Sequence, residues 1–363
     1  MRKLTAILFL FGIFFFSYSD YAQNSTDNGN GFNNTIQNLS SDAAREYVEP
    51  VVPSFGSNLN TGWITKAPTP TKFSFSLDIK IIAMGTVLND DQRTFSTTGT
   101  FRFTDQQATE LLNKSNVPLQ YYDEIKSQLL NTNFTVGISG PTIVGSELDT
   151  VRINFPGASF KASNNVTYNV NPQSITLKNV IGYLNDISMF PTTTLQLGIG
   201  TFMGTNVAVR WFPKVNIKDL GDFTYWGFGI MHNPAVWFND QFPVDIALGY
   251  FYQDLKVGSI FETKAHMFGI YASKTYGTII GFTPYIGLST ESSTTSINYD
   301  YEYSVIVNGN PVQQTTNINF ELDGANSTAF TVGLAFKLAI LNLNVDYKFA
   351  KVKTASAGLT FGF

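Results

Sequence analysis

The sequence predicts an all-β chain whose strands close into an antiparallel barrel that spans a membrane. Three observations predict this class: an N-terminal export signal without a later apolar helix, strands that alternate apolar and polar residues, and two hairpins whose registers match on both faces. Charged residues make up 14% of the chain and aromatic residues 15%, whereas roughly a quarter of an average soluble protein is charged. This balance argues against a disordered chain and a coiled coil.

Charge and cysteine content exclude further classes. The formal net charge of −4 provides no basic surface for phosphates, so no nucleic-acid partner is expected. The chain contains no cysteine. Disulfide bonds, thiolate zinc sites and cysteine nucleophiles are therefore excluded.

Residues 1–22 have the layout of a secretory signal peptide. Arg2 and Lys3 precede an apolar run over residues 4–16, and a polar stretch leads to Ala22, after which we expect cleavage. The alternative is a membrane anchor, but this run has about 13 residues, whereas a helix needs roughly 20 to cross a bilayer. The sequence thus predicts export, after which the chain either folds in the periplasm or enters the cell outer membrane as a barrel, since only helices and closed barrels span lipid.

Two segments alternate with the period of a β-strand. Residues 72–82 place apolar side chains on one face and Ser, Asp and Lys on the other, and residues 341–349 repeat this pattern. A soluble sandwich also alternates. Its polar face, however, usually carries more Lys, Glu and Thr than the Ser, Asn, Gly and Ala found in many strands here.

Hairpin register is a stronger test, because pairing must place apolar residues opposite apolar residues. When residues 339–340 form a two-residue turn, apolar residues lie opposite apolar residues on one face of the hairpin and the remaining residues lie opposite one another on the other face. The same holds when residues 202–204 form a three-residue loop. Tight turns at one end and longer connections at the other are typical of outer-membrane barrels. The predicted apolar pairs are Phe330–Phe349, Val332–Tyr347, Leu334–Val345 and Phe336–Leu343 in the first hairpin, and Leu195–Trp211, Leu197–Val209 and Ile199–Val207 in the second.

The mature chain is predicted to have two parts. Residues 23–71 form an N-terminal tether, in which a short helix over 41–48, stopped before Pro50, either plugs the lumen or lies as a surface turn. Residues 72–363 form the barrel. Residues 104–131 interrupt the barrel with a helical insertion, which opens on a capping box.

The alternation predicts about 14 strands, or about 12 because residues 84–190 are the least regular part, and an even number leaves both termini on the periplasmic side. The least regular part contributes the predicted strands 94–103, 133–140, 149–155 and 173–180. The segments 280–303 and 312–338 are longer than a membrane requires. We therefore expect Tyr299, Tyr301 and Tyr303 to extend into the external water.

Charged side chains on the minor face of the strands are predicted to line the lumen. Lys264 is turned inward because the opposite direction would face lipid, at a cost of about 2–4 kcal/mol in mid-membrane, and the same parity turns His266 inward. These charges either neutralise one another or select solutes. The predicted lumen-lining residues are Asp78, Lys80, Arg210, Asp245, Lys264, His266, Lys337, Asp346 and Lys348.

Aromatic residues near strand ends are predicted to lie at the membrane interface. Trp63, just before the first strand, is expected there as well. The other predicted interfacial aromatics are Trp211, Trp226, Trp237, Tyr250 and Tyr252.

No catalytic motif accompanies the two histidines. His232 and His266 are followed two places later by Pro234 and Phe268, where a barrel phospholipase would need a serine. Serine-hydrolase, zinc-protease, Walker and dinucleotide-binding patterns are all missing from the sequence. We therefore expect no enzyme activity, no cofactor and no metal site.

The chain ends in a strand that places Leu359, Phe361 and Phe363 on one face. This strand resembles the last strand of Gram-negative outer-membrane proteins, which alternates apolar residues, finishes in Phe and is recognised by the barrel-assembly machinery. The resemblance implies that this machinery and outer-membrane lipid are partners of the chain.

Residues 62–63, 198–213 and 227–233 resemble an uncharacterised family of Bacteroidota outer-membrane β-barrel proteins. The helix-first architecture is more distantly similar to FadL-type transporters of hydrophobic compounds. That family's Asn-Pro-Ala signature belongs near its N-terminus, whereas here it occupies 233–235, so no residue role is carried over. The resemblance implies a passive channel or transporter for small hydrophobic or amphipathic solutes. The alternative is a non-transporting barrel with a structural or surface-interaction role through the hairpin 291–328.

Overall fold

The computed structural model describes residues 39–177, 180–182, 184, 187–217, 221–238, 242–307 and 310–362. The predicted signal peptide, its cleavage site and Phe363 lie outside this part. The chain divides into two compact units. The barrel unit comprises Glu49–Asn89, Ser188–Asn298 and Asn319–Phe363, and the insertion unit comprises Met1–Val48, Asp90–Ile187 and Tyr299–Ile318.

Four helices and eighteen strands are found in the described part of the chain. The helices are α1 (Ser41–Val48), α2 (Val51–Leu59), α3 (Asp105–Asn113) and α4 (Leu119–Leu130). The strands are β1 (Phe73–Val87), β2 (Thr94–Phe101), β3 (Phe134–Pro141), β4 (Val151–Phe155), β5 (Ala158–Lys161), β6 (Thr167–Val170), β7 (Gln173–Leu177), β8 (Met189–Phe202), β9 (Thr205–Ile217), β10 (Gly221–His232), β11 (Asp245–Val257), β12 (Phe261–Ser273), β13 (Tyr276–Gly277), β14 (Ile280–Val307), β15 (Asn310–Asp323), β16 (Thr328–Leu338), β17 (Leu341–Phe349) and β18 (Thr354–Gly362). No helix among the described residues is long and apolar enough to cross a membrane.

Ten of the described strands close into one antiparallel ring, so the predicted fold class is confirmed. The ring runs β1, β8, β9, β10, β11, β12, β14, β16, β17 and β18, and β18 pairs back with β1. Asp78 lies opposite Gly362 and Thr86 opposite Thr354. We call the end of the barrel at Gly362 the proximal end, and the end at Val87 and Thr354 the distal end.

The predicted count of about 14 strands is wrong for the ring. The strands predicted between residues 94 and 180 pair with one another in a separate sheet, in the order β2, β3, β4 and β7. They belong to the insertion unit. Alternation shows that a segment has one buried face, but it does not show which sheet buries that face.

Both hairpin registers are confirmed in every predicted apolar pair. The turn at Ala339-Ile340 has two residues, and Ala339 adopts a positive φ of 55°. The other loop also has two residues, Met203 and Gly204, with φ of 48° and 69°, because Phe202 pairs with Thr205. The predicted loop had three residues. The loop is one residue shorter although the predicted pairs are correct, because the register shifts by one residue between Ile199 and Phe202.

The outer face of the ring is apolar along the middle of the strands. A contiguous apolar surface of this kind is expected on a protein that faces lipid or a partner. Exposed apolar side chains on this face include Ile79, Ile199, Val207, Val209, Phe228, Ile230, Leu248, Phe268, Ile270, Ile286, Leu288, Phe330, Val332, Leu343 and Val345.

The insertion unit has an aromatic core of its own. Phe103 packs against Phe101, Phe134 and Phe155 with ring centroids 5.3 to 5.5 Å apart. Tyr299 and Tyr301, predicted to reach into water, are instead buried in this unit, where their hydroxyls donate to the carbonyls of Leu39 and Arg102. The side chain of Tyr303 lies outside the described part.

Helix α3 begins on the capping box that the sequence predicts. The Gln107 backbone donates to Thr104 Oγ1, and the Thr104 backbone donates to Gln107 Oε1 over 2.9 Å. We expect Thr104→Ala to cost about 0.5–2 kcal/mol of local stability, because a helix N–H loses its partner. Hydrogen exchange of the α3 amides measures this loss. The control Thr104→Ser retains the acceptor, and equal loss in both variants would contradict the role of the cap.

Candidate functional site

The lumen of the barrel is occupied by α2 and by residues 60–68, which follow it. We call this whole segment, residues 51–68, the plug. All nine residues of α2 are buried. Phe55 packs against Phe190 and Phe261 on the distal half of the wall, with ring centroids 4.8 and 6.1 Å apart. The sequence placed the plug at 41–48 and ended it before Pro50. Proline is tolerated where a helix starts, and here it precedes a second helix.

Polar side chains attach α2 to the wall. Asn58 Nδ2 donates to Phe190 O and to Thr192 Oγ1 over 2.9 Å, and Asn58 Oδ1 accepts from Thr86 Oγ1. Ser57 Oγ lies 2.5 Å from Thr354 Oγ1. These bonds satisfy polar groups that would otherwise be buried without partners.

Three buried cations from the wall bind the C-terminal end of α2 and the chain just after it. Lys348 Nζ donates to Ser57 O over 2.8 Å, Arg210 Nη1 to Thr61 O over 2.9 Å, and Lys80 Nζ to Gly62 O over 2.9 Å. The last carbonyls of a helix lack intrahelical partners and carry the negative end of its dipole. The cation clamp, as we call Lys80, Arg210 and Lys348, therefore complements both the geometry and the charge of this helix end.

The clamp residues also contact other groups of the lumen. Lys348 forms an ion pair of 3.0 Å with Glu291, and both side chains are 1% exposed. The Arg210 guanidinium lies 3.8 Å above the ring of Trp63 and donates through Nε to Gln196 Oε1. These contacts form a hydrogen-bonded network around the plug.

After α2, the plug passes over an apolar patch of the wall and ends at the proximal end of the barrel. Trp63, 3% exposed, packs against Phe251 with centroids 4.9 Å apart. Ala67 N then donates to Ser273 Oγ, and Asn233 Nδ2 donates to Pro68 O over 2.7 Å.

A cavity of about 300 Å³ opens beside residues 63–66 at the proximal end, and we call it the exit cavity. Its wall combines charged residues with apolar ones. The charged residues are Lys66, Asp78, Lys80 and Lys337, and the apolar ones include Trp63, Met231 and Phe251.

A strip of polar atoms continues from the exit cavity along the inner face of β17 and β18. These atoms are buried and have no hydrogen-bond partner among the described residues. Buried polar groups of this kind are ordinarily hydrated. They are Asn342 Oδ1, Asn344 Oδ1, Asp346 Oδ1, Ser356 Oγ and Thr360 Oγ1.

Most of the predicted lumen residues lie on the inner face. Lys80, Arg210 and Lys348 form the clamp, and Asp346 accepts a hydrogen bond of 3.0 Å from Tyr285. The exit cavity brings together Asp78, Lys80 and Lys337. Asp245 lies at the proximal start of β11, on the inward parity of the buried Ala247 and Phe251.

The prediction is wrong for Lys264 and His266, which lie on the outer face of β12. Lys264 pairs with Glu262 over 3.1 Å, and His266 Nδ1 lies 2.9 Å from the Tyr250 hydroxyl. Both residues are near the distal start of the strand, where Lys264 lies opposite Thr294 on β14. In a barrel that spans a membrane, the cost of a lysine falls to about 0–1 kcal/mol near the interface, so a lysine near a strand end carries little of the penalty on which the inward prediction rested.

The aromatic residues predicted at the interface have outward side chains, with one exception. Trp211 and Trp226 lie opposite each other on β9 and β10, and Tyr252 lies opposite His266. Tyr250 is exposed on the same face of β11, and Trp237 is exposed after β10. Trp63 is the exception, since it is buried under Arg210 in the lumen. Of the predicted assembly signal, Leu359 and Phe361 are partly exposed and lie opposite Ile81 and Ile79.

Several residues of the network were missed by the sequence analysis. Glu291 and Tyr285 share the inward parity of β14, so strict alternation along 280–291 could have found them. Asn58 gives no such signal, because its position inside the barrel depends on the whole path of the plug.

Comparison with solved structures finds outer-membrane β-barrels. The N-terminal β-barrel domain of Pseudomonas aeruginosa OprF is 15% identical, with 44% of this chain and 94% of that chain covered and a TM-score of 0.19. A loop-deletion mutant of the Vibrio cholerae outer-membrane protein OmpT is 9% identical, with 80% and 98% covered and a TM-score of 0.22. A bacterial polysaccharide outer-membrane secretin is 8% identical, with 79% and 98% covered and a TM-score of 0.22.

These structures do not include a FadL-type transporter, and they do not connect the chain to Bacteroidota, so both resemblances remain predictions. A search of curated proteins finds no match. A family model does match, over residues 1–363, and its description is "Family of unknown function (DUF6588)". The chain therefore belongs to this family.

Proposed function

We propose that this chain is an outer-membrane barrel protein that lets small amphipathic or hydrophobic solutes pass along its lumen, with residues 51–68 as a plug that must rearrange. The observation that carries the proposal is how the plug is held. Polar groups of the wall bind its backbone and its short polar side chains. Such bonds can be exchanged for bonds to water when a segment shifts.

The exit cavity and the polar strip support the same proposal. The cavity places lysines and a carboxylate beside Trp63, Met231 and Phe251, a combination that suits a solute with both polar and apolar parts. The unpartnered atoms of β17 and β18 lead from this cavity towards Asp346. A shift of residues 60–66 away from this wall would join the cavity to the polar strip.

The membrane location is part of the proposal. It is supported by the apolar outer face, by the Trp211–Trp226 pair and by the outward charged cluster of Lys256, Glu262 and Lys264 near the distal strand ends. Its partners would be outer-membrane lipid and the barrel-assembly machinery, which would recognise the strand that carries Leu359, Phe361 and Phe363. In this location the proximal end would face the periplasm, because the two-residue turns at 203–204 and 339–340 lie at that end and barrels of this kind have short periplasmic turns.

A disulfide tether tests whether the plug must move. Ser57→Cys with Thr354→Cys replaces two hydroxyls 2.5 Å apart, so oxidation would attach α2 to the wall. We expect uptake of small amphipathic solutes into liposomes to be lost in the oxidised protein and restored by a reductant. The chain has no other cysteine, so no second disulfide competes.

The matched control joins two wall strands instead. Thr263 and Thr295 are both buried and their hydroxyls lie 2.8 Å apart, so Thr263→Cys with Thr295→Cys adds a disulfide that leaves the plug free. Uptake by this variant should not depend on the redox state. Uptake that continues through the oxidised Ser57–Thr354 tether would contradict a rearrangement of α2 and would confine any opening to residues 60–68.

The second candidate is a non-transporting barrel with a structural or surface-interaction role. The observation in its favour is that the clamp and the Lys348–Glu291 pair fill the lumen with satisfied polar contacts. Liposome uptake equal to barrel-free controls in every variant and redox state would select it. We also propose that the chain is not an enzyme. Both ring nitrogens of His232 are hydrogen-bonded, to Thr205 and Trp237, and His266 is hydrogen-bonded to Tyr250.

A further inference from the structure

The chain before β1 runs along the whole length of the barrel. At the distal end, Ser57 Oγ donates to Val352 O in the turn that joins β17 to β18, and Phe55 packs on Phe190 at the start of β8. Halfway along, Gln253 Nε2 donates to Asn60 Oδ1 over 3.1 Å. The course is therefore axial, with the N-terminal end of α2 at the distal end.

The same segment leaves the lumen at the proximal end. Asn233, next to the end of β10, holds Pro68 O, and the carbonyls of Thr71 and Lys72 accept bonds from Gly204 and Met203 in the proximal turn. β1 then starts at Phe73 and returns through the wall towards the distal end. The even number of ring strands places the start of β1 and the end of β18 together, but the chain ahead of β1 has already crossed the barrel.

We propose that the chain is threaded through its own barrel, so that residues 39–48 and the C-terminal end of β18 face opposite sides of the membrane. This proposal rests on the membrane-spanning barrel of the proposed function and does not depend on transport. With the proximal end in the periplasm, residues 39–48 lie on the cell-surface side of the membrane. This reverses the predicted periplasmic position of the N-terminal tether.

Threading also restricts how the plug can move. A plug that enters at one end and leaves at the other is fixed by the chain on both sides. It cannot be released into the periplasm as a free tail. Any opening of the lumen must then come from a rearrangement within the plug itself.

Cysteine labelling in intact cells tests the threading, since the chain has no native cysteine. Glu46→Cys introduces a thiol at an exposed position three residues before Glu49. Lys351→Cys marks the distal end and Lys72→Cys the proximal end, both at exposed positions. With a membrane-impermeant maleimide, we expect Glu46→Cys to label in intact cells as Lys351→Cys does, and Lys72→Cys to label only after the outer membrane is permeabilised.

The outcomes separate the two proposals. Labelling of Glu46→Cys only after permeabilisation, alongside an accessible Lys351→Cys, would overturn the threading and leave the barrel intact. Equal labelling of Lys351→Cys and Lys72→Cys in intact cells would overturn the membrane-spanning barrel, and the threading with it. Asp42→Cys, one turn earlier on the exposed face of α1, repeats the test should the Glu46 variant fail to accumulate.

Discussion

Replacing Lys348 with methionine is expected to cost about 3–5 kcal/mol of the free energy of unfolding, because removing one partner of a buried ion pair leaves the other charge uncompensated. Glu291 would keep its carboxylate in the lumen with neither exposure nor counter-charge. Ser57 O would lose one of its two donors at the end of α2 and keep only the Thr61 hydroxyl. Denaturant unfolding in lipid vesicles, followed by tryptophan fluorescence, measures the loss.

Two variants separate the buried pair from a general effect of losing a lysine. Lys264→Met removes a partner of Glu262 on the outer face, where the pair is largely exposed and such pairs contribute about 0–1 kcal/mol. Lys348→Met combined with Glu291→Gln removes the stranded charge, so we expect it to be more stable than Lys348→Met alone. If Lys348→Met and Lys264→Met lost equal stability, the clamp would not hold the plug as described.

The ring and its inner face could be predicted because both follow from a period of two. Once the pair Phe336–Leu343 is aligned, every other pair of that hairpin follows, and the charges Asp346 and Lys348 are placed inside. The sheet of β2, β3, β4 and β7 could not be separated from the ring in this way. Its strands alternate like barrel strands, and only their pairing in space distinguishes them.

The plug could not be predicted for a different reason. Residues 51–59 form a short segment that Pro53 and Gly56 interrupt, and both residues are unfavourable inside a helix, so the local sequence does not predict one. Their partners are wall cations that bind backbone carbonyls, and a carbonyl has no sequence signature. The outward direction of Lys264 was missed because the prediction assumed a position in the middle of the strand, whereas the ring places this residue near the distal strand end.

Trp63→Ala should be as damaging as the loss of Lys348. Truncating a buried tryptophan costs about 3–5 kcal/mol through lost burial and the cavity left behind, and Trp63 is 3% exposed against Phe251. The variant also removes the ring under the Arg210 guanidinium, which is fully buried and has one nitrogen without a partner among the described residues. Arg210 would then hold Thr61 less firmly, and residues 60–66 would be freer to shift from the wall.

Trp226→Ala is the matched control, because this side chain is 48% exposed on the outer face. It loses contact with lipid and Tyr252 but leaves the lumen unchanged. We expect Trp63→Ala to lower the free energy of unfolding far more than Trp226→Ala and to raise solute uptake into liposomes, whereas Trp226→Ala leaves uptake unchanged. Reduced stability without increased uptake in Trp63→Ala would mean that residues 60–66 are not the part of the plug that opens. Equal stability of the two variants would contradict the buried position of Trp63 itself.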